Sequence, residues 1–479
     1  MSLKALRWAL PALFLVGYLV CDWAIGPLDS SFLPRTALNM AALALLLSRL
    51  SGPLQQTLWV WAALAVFISG TFLKMYWFAW HLNSPGYINS TFAELRWVDA
   101  ARINDGYGWA TLGFTVFCVS ATFALLWINQ VADARDESTR SVLRSNTTLQ
   151  MVIGLMLAYL FLSLLQLRLN YGVLGVDNPE LPGRVGTVLT FARQQVIPAL
   201  ILLAVWLFDH TSRKLAAVAA SFLMAVAVID ALVSTSRGSV FSLSAPLILL
   251  WLMTDRLNRQ RRVAVALIGL TGVVLFPIVT ASRQTKLDPG SVGSSGIPTI
   301  GSLVDSSFFI LTRPSGIDGV WHAQDHRGAL TVGRTIDFMK PGRLTDHYTR
   351  TVVRVPGTAD FRAPGSIGGL MIIGGGPAVV LLMTATVFGL GLLWAVLRRL
   401  QTWPVALALA APSIAIYISG GIFDFLSLLK LVLQCVMCEL VFQMLVMNVR
   451  PQLVTKPFGQ TKRYLGPALS PEFDCGPRA

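Results

Sequence analysis

The sequence predicts an all-α, polytopic membrane protein with about twelve transmembrane helices and one large outward-facing loop. Of its 479 residues, 54% are hydrophobic and only 13% are charged, whereas a soluble protein spends about a quarter of its residues on charged side chains. Apolar stretches of roughly 17 to 25 residues, the length that crosses a bilayer as a helix, recur along nearly the whole chain. We therefore expect a single membrane domain whose surface is solvated mostly by lipid.

The first apolar stretch, from Leu6 to Ile25, follows Lys4 and Arg7, and this pattern is also typical of a signal peptide. However, Asp22 and Trp23 stand where a cleavage site needs small residues, and further spans follow. The stretch is therefore predicted to be a retained transmembrane helix.

The other spans are shorter or longer versions of the same pattern. They are predicted at Thr36 to Leu50, Leu58 to Trp77, Trp109 to Ile128, Met151 to Leu169, Thr187 to Phe208, Leu215 to Val233, Val240 to Met253, Val263 to Thr280, Pro377 to Leu397, Val405 to Ile418 and Leu426 to Met447. They divide the chain into a first membrane region at residues 1–282, a large loop at 283–366, a second membrane region at 367–447 and a basic tail at 448–479.

The distribution of basic residues predicts the orientation, because short cytoplasmic connections are enriched in lysine and arginine. With the amino terminus inside, the cytoplasmic connections hold most of these residues, among them Arg49, Arg135, Arg140, Arg144, Lys214, Arg259, Arg261, Arg262, Arg398 and Arg399. The basic tail also falls inside. Both termini are therefore expected in the cytoplasm.

The large loop, from Arg283 to Ser366, then lies outside. It contains apolar residues that we expect to anchor it on itself and on the helix ends: Phe308, Phe309, Ile310, Trp321, Ile336 and Phe338. Long loops with such anchors are often lids or binding elements. The loop is therefore a candidate part of a functional site.

Arg237 is the clearest candidate for binding a phosphate. It lies in the outer turn Ser234–Ser239, where hydroxyl groups and exposed amides surround a guanidinium that donates in a planar fork. The alternative interpretation is an arginine that only pins the helix ends, paired with Asp230. The same two interpretations apply to Arg168, Arg193 and Arg283. If these helices converge, the arginines line one cavity.

The loop also concentrates titratable and cationic side chains in one short stretch: Arg313, Asp318, His322, Asp325, His326 and Arg327. A histidine near neutral pH accepts a hydroxyl proton, and a carboxylate either does so or orients the histidine. We select His326 or Asp318 as the catalytic base, and we select as phosphate contacts Arg237, Arg283, Arg313 and Arg168. The alternative is that these loop side chains only face water.

Other classes of function are excluded by the sequence. The net charge of +14 is scattered over connecting segments, so no nucleic acid partner is expected. Cys435 and Cys438 have the spacing of metal ligands but lack a second pair, so neither a metal nor another cofactor is expected. Motifs for nucleotide hydrolysis or for a serine nucleophile are absent from the sequence.

Several segments carry a resemblance to known proteins: Ser236-Arg237-Gly238, Leu311–Asp318, Gly333-Arg334-Thr335, Met339-Lys340-Pro341, Ala363–Gly369 and Ile373–Pro377. Together with the general layout, they resemble the Wzy-type O-antigen polymerases and the oligosaccharide repeat unit polymerases of bacterial envelope assembly. In these families an acidic residue often follows the Ser-Ile-Gly portion, whereas this chain has Gly369.

The resemblance implies a GT-C-like membrane glycosyltransferase in the bacterial inner membrane, with a large periplasmic loop and no metal. The donor is a growing glycan on undecaprenyl pyrophosphate, and the acceptor is a single lipid-linked repeat unit. The acceptor hydroxyl attacks the anomeric carbon of the donor while the pyrophosphate lipid leaves. Membrane lipid and a chain-length regulator protein are the further partners that this implies.

Two alternatives stay open. An O-antigen ligase uses the same kind of donor but delivers the glycan to another acceptor, and the sequence hardly separates it from a polymerase. A flippase for lipid-linked oligosaccharides belongs to a different class, in which related halves with interrupted helices are common. We find no internal repeat of that kind in the sequence.

Overall fold

The computed structural model describes residues 3–26, 28–83, 95, 97–131, 145–169, 185–234, 239–254, 258–287, 316–340, 342–353, 364–420 and 425–447. This part of the chain contains helices and no strand. The basic tail at 448–479 lies outside the described residues.

The helices are numbered in chain order. They are α1 (Leu3–Ile25), α2 (Phe32–Arg49), α3 (Leu54–His81), α4 (Ala100–Val131), α5 (Ser145–Leu169), α6 (Val185–Thr211), α7 (Arg213–Val233), α8 (Ser239–Met253), α9 (Arg259–Leu287), α10 (Ile317–Ala323), α11 (Val332–Met339), α12 (Arg343–His347), α13 (Gly365–Leu397), α14 (Trp403–Gly420) and α15 (Phe425–Met447).

Seven of the described helices are long and apolar enough to cross a membrane, namely α3, α4, α5, α6, α7, α13 and α15. The outward face of α5 is apolar. Leu157, Phe161 and Leu164 share this face and are 63% to 66% exposed. A surface of this kind is covered by lipid rather than by water. The prediction of an all-helical, multi-pass membrane protein is therefore confirmed.

Polar contacts join the helices inside the bundle, where lipid supplies no hydrophobic force between them. The Asn39 side-chain amide on α2 donates to the Tyr107 hydroxyl at 3.2 Å and to Thr111 Oγ1 at 3.0 Å, both on α4. The Phe32 ring stacks on the Tyr107 ring with centroids 3.9 Å apart. These contacts hold α2 and α4 in register.

Residues 316–340 and 342–353 cover one end of the bundle, and we call them the cap and that end the capped end. The first cap helix, α10, packs against α13, α4 and the carboxyl-terminal half of α3. Trp321 and Phe338 are buried there, as apolar anchors should be, but Ile336 is 56% exposed. The other anchors predicted for the loop, Phe308, Phe309 and Ile310, lie outside the described residues.

Helix α13 is broken within its amino-terminal third. Gly374 has φ −166° and ψ 24°, and Gly375 has φ 59° and ψ −143°, a conformation that only glycine adopts readily. A Cβ on Gly374 would lie 2.6 Å from the Cβ of Leu330, so the cap chain passes directly over the break. The span predicted to begin at Pro377 is therefore the second half of a longer helix whose first half starts at Gly365.

Candidate functional site

An ion pair ties the cap to the bundle. The Lys74 Nζ lies 3.1 Å from Asp318 Oδ2, and only 10% and 21% of the two side chains are exposed. The Gly316 N–H donates to Asp318 Oδ1 at 3.0 Å. Burial opposes ionisation of Asp318, but the Lys74 ammonium and the Gly316 N–H outweigh it and hold the pKa of the carboxyl below its usual range. Asp318 is therefore ionised and bound to Lys74 at neutral pH.

A π-bulge in α3, Ile68–Leu73, directly precedes Lys74 and prepares this contact. Such bulges interrupt the regular α-helical pattern and occur often at functional sites. A Cβ on Gly316 would lie 2.4 Å from the Gly70 carbonyl oxygen, so the cap chain touches the backbone of the bulge itself. Glycine at this position lets Asp318 reach Lys74.

We expect Asp318→Asn and Lys74→Met each to increase amide hydrogen exchange across α10, because either change leaves one buried charge without its partner. The double variant should exchange less than the sum of the two single effects. The contribution of the pair should persist above about pH 3.8, the ordinary value for the carboxyl, and be lost as the pH falls through the lowered pKa of Asp318.

Asp337→Asn is the matched control for this prediction. Its ion pair with Lys340 is similar in length, at 2.9 Å, but both side chains are more than half exposed. Exposed pairs contribute little to stability, so exchange across the cap should hardly change. Equal effects of Asp337→Asn and Asp318→Asn would show that the buried pair does not hold the cap.

The turn after α10 is fixed to the start of α4 by two further ion pairs. Arg102 Nη2 lies 2.5 Å from Asp325 Oδ2, and Arg327 Nη2 lies 2.7 Å from Asp105 Oδ2. The guanidinium of Arg327 also lies over the ring of Trp109, 4.8 Å from its centroid. These pairs are largely exposed and contribute little stability, but they gather cations at the capped end.

A second guanidinium, that of Arg334, lies beside the break in α13. A Cβ on Gly328 would lie 2.7 Å from Arg334 Cζ and 2.3 Å from the Ile372 carbonyl oxygen, which places these atoms side by side. Arg334 has no ion pair with a described residue, and its Nε is buried without a hydrogen-bond partner among them. It is therefore a candidate for binding an anion.

The second half of α13 contributes to the same place. Its amino-terminal end, at Gly376, lies next to Trp109. A Cβ added to Gly376 would lie 3.9 Å from Cη2 of the Trp109 ring. Trp109 in turn carries Arg327 on its face. Helix amino termini present unpaired N–H groups that favour anions. Two guanidinium groups and a helix start thus lie around one break.

His347 of the cap lies near both Arg334 and His326. Burial, the charge of Arg334 and the charge of His326 lower the pKa of His347, and Asp346 opposes them only in part. His347 therefore stays neutral near pH 7, the form that accepts a proton. The imidazole packs against Phe338 with ring centroids 5.2 Å apart. His347 joins the half-buried His326 as a candidate general base.

A separate charged pair is enclosed within the bundle. Arg193, in the π-bulge Ala192–Val196 of α6, is fully buried, and its Nη2 lies 2.5 Å from Asp230 Oδ1 on α7. The Gln194 amide donates to the same oxygen at 3.2 Å, and the Ser234 hydroxyl also lies near the carboxylate. Arg193 is therefore the partner of Asp230 and is closed to any ligand.

The predicted site residues have different outcomes. Asp318 and His326 lie in the cap as described, and their catalytic role stays a prediction. Arg168 is exposed at the end of α5, whereas Arg193 is fully buried. Arg237 and Arg313 lie outside the described residues, and Arg283 falls within α9 but its side chain lies outside them. The expected meeting of arginines is thus not seen for Arg168 and Arg193.

Sequence reasoning missed Lys74, Asp105 and His347 as site residues. Lys74 had a clear signal, because a lone lysine within an apolar span is costly unless it is paired. Asp105 and His347 had none, because each gains meaning only from residues far away in the chain. Arg334 was noted as part of a motif but not as a ligand contact.

Among the described residues, no group of three or more His, Cys, Asp or Glu side chains is placed to hold a metal ion. Comparisons with protein-family models, with curated proteins and with solved structures found no match to this chain. The resemblance to O-antigen polymerases therefore stays a prediction.

Proposed function

We propose that this protein is a metal-independent membrane glycosyltransferase that joins undecaprenyl-pyrophosphate-linked oligosaccharide repeat units into a longer polysaccharide. The product would be an O-antigen, a capsule or an exopolysaccharide. One observation carries the proposal: Arg327 and Arg334 flank the break in α13, and His347 lies close enough to both Arg334 and His326 for their charges to lower its pKa. Cations and candidate bases thus occur together without a nucleotide-binding motif.

The depth of the break supports a lipid-linked substrate. From Gly376 to Leu397, roughly 22 residues at about 1.5 Å each extend about 33 Å, close to the bilayer core of about 30 Å. Arg398 and Arg399 follow directly at the far end. The break therefore falls at the level of the lipid headgroups, where the pyrophosphate of a membrane-anchored donor lies.

The chemistry of the transfer matches these groups. The acceptor hydroxyl attacks the anomeric carbon, a new glycosidic bond forms, and the bond from that carbon to the pyrophosphate oxygen breaks. His347 or His326 accepts the hydroxyl proton, while Arg334 and Arg327 stabilise the negative charge on the leaving pyrophosphate. Asp318 acts by holding the cap through Lys74, since an ionised carboxylate paired with an ammonium is a weak base.

The remaining details of the proposal follow from the predicted topology. The long helices α1 to α9 and α13 to α15 would be twelve spans of a GT-C-like architecture, with both termini in the cytoplasm and the cap in the periplasm. Arg237, Arg283 and Arg313 stay candidates for further phosphate contacts. A chain-length regulator would be a partner at the same membrane face.

The proposal is tested by deleting the gene in its own host and measuring polysaccharide chain length on gels. The unaltered protein should restore long chains, and Arg334→Ala should leave mostly single repeat units, with a rate reduced about 100- to 1,000-fold as for the loss of an oxyanion contact. Arg343→Ala is the control, because this exposed arginine begins α12 in the same cap. It should restore long chains.

Other outcomes would contradict the polymerase. If deleting the gene leaves the polysaccharide chain length unchanged, the protein has no role in chain extension. Long chains that accumulate on the lipid carrier without reaching their final acceptor would identify a ligase instead. Single repeat units trapped on the cytoplasmic face would identify a transporter.

A further inference from the structure

Helix α11 presents an apolar face away from the protein. Val332, Ile336 and Met339 are 77%, 56% and 41% exposed. Their spacing of four and three residues places them on one face of the helix. Phe338 is buried on the other side, where Arg334 lies over its ring at 5.6 Å. The exposed face is thus the one that the cap leaves uncovered.

The position of α11 along the bundle indicates what covers this face. Leu330, two residues before α11, lies on Gly374 at the break in α13, and α11 itself contacts α13. Since the helix below the break is about 33 Å long at about 1.5 Å per residue, the break and α11 lie at the edge of the hydrocarbon core, which is about 30 Å thick. Trp109, level with the break, is of the residue type enriched at this depth.

The charges beside α11 also indicate that a membrane surface covers its apolar face. The stretch from Val332 to Arg350 carries four Lys or Arg residues and two carboxylates. Lys340 and Arg343 follow α11 directly, and both are exposed. Basic residues beside an apolar helical face are typical of helices that lie in the plane of a membrane containing anionic lipids.

We propose that the apolar face of α11 inserts into the boundary between the headgroups and acyl chains of the bilayer, so that the cap rests on lipid. The membrane surface is therefore a binding partner of the cap as well as the solvent of the spans. Arg334 projects from the opposite side of the same helix. This inference depends only on the membrane location of the bundle and stands whether or not the chain is a glycosyltransferase.

The test places an environment-sensitive label on α11 of the full-length protein. Ile336→Cys is labelled with a nitrobenzoxadiazole dye after Cys475→Ser, and the buried native cysteines Cys21, Cys118, Cys435 and Cys438 stay in place. Asp337→Cys is the matched control, because Asp337 lies about 100° around the helix from Ile336 and about 160° from Met339, and more than half of its side chain is exposed. The proteins are reconstituted in vesicles of phosphatidylcholine and phosphatidylglycerol, some carrying a doxyl group on the acyl chain.

At Ile336→Cys we expect a blue-shifted emission and quenching by doxyl lipid several-fold stronger than at Asp337→Cys. Equal, water-like emission without quenching at both positions would overturn the proposal. A label at 336 that is unquenched in these vesicles but shielded in native membranes would overturn it in favour of a protein partner. Shielding that grows with the protein-to-lipid ratio would overturn it in favour of a second copy of the chain. Unfolding midpoints equal to that of the parent protein exclude misfolding of the labelled variants.

Discussion

Arg193→Met should destabilise the bundle by about 3 to 5 kcal/mol, the usual effect of leaving one partner of a buried ion pair alone. Arg193 is fully enclosed, and Asp230 is 3% exposed. After the substitution, the carboxylate would keep only the Gln194 amide and the Ser234 hydroxyl near it. The midpoint of thermal unfolding in detergent micelles, followed by size-exclusion chromatography of the soluble fraction, measures the loss.

Two variants separate the charge from the packing. Arg193→Met with Asp230→Leu removes both charges and should recover most of the stability, because well-packed apolar pairs replace buried ion pairs at little cost. Arg350→Met removes a partner of Asp346 from a pair in which both side chains are substantially exposed, and it should change the midpoint little. If Arg193→Met behaves like Arg350→Met, the enclosed pair does not stabilise the bundle.

Gly319→Ala should separate the cap from α13 while leaving the spans inserted. A Cβ on Gly319 would lie only 1.7 Å from the Pro364 carbonyl oxygen, and a Cβ on Gly368 would lie 2.6 Å from the Gly319 carbonyl carbon. Neither contact is with a flexible side chain, so α10 has to move. We expect trypsin to cut the cap of Gly319→Ala in proteoliposomes much faster than the cap of the parent, for example after Arg327.

Gly333→Ala is the control in the same segment. Nothing lies within 4 Å of a Cβ there, and alanine is the better helix former by about 1 kcal/mol. Its cap should resist trypsin at least as well as the parent cap. Equal cleavage of Gly319→Ala and Gly333→Ala would mean that the close approach of α10 to α13 does not hold the cap.

The class of protein could be predicted from composition and from the length of the apolar stretches, because a lipid solvent constrains both directly. The anchors of the cap were predicted less well. Trp321 and Phe338 are buried, but Ile336 is exposed, because a helix of eight residues places Ile336 and Phe338 on different faces. The sequence shows that a residue is apolar, and only the helix phase shows where it points.

The candidate site was predictable only in part, since its contacts join distant parts of the chain. Lys74 and Asp318, and likewise Arg193 and Asp230, meet through packing of helices whose pairing no single-sequence pattern specifies. The first half of α13 was missed for another reason. Glycine-rich segments are weak helix formers alone, and the close packing of the cap on Gly368 joins residues that are far apart in the chain.

The π-bulges in α3 and α6 have a geometric consequence for these helices. Each inserts an extra residue into a turn, which shifts the angular phase of everything beyond it by about 100° relative to a regular helix. Lys74 follows one bulge directly and is turned by this shift, whereas Arg193 lies within the other bulge, where the regular α-helical spacing is interrupted. A single helix can therefore keep an apolar, lipid-facing surface along most of its length. At the bulge it can still direct one charged side chain toward a partner inside the bundle.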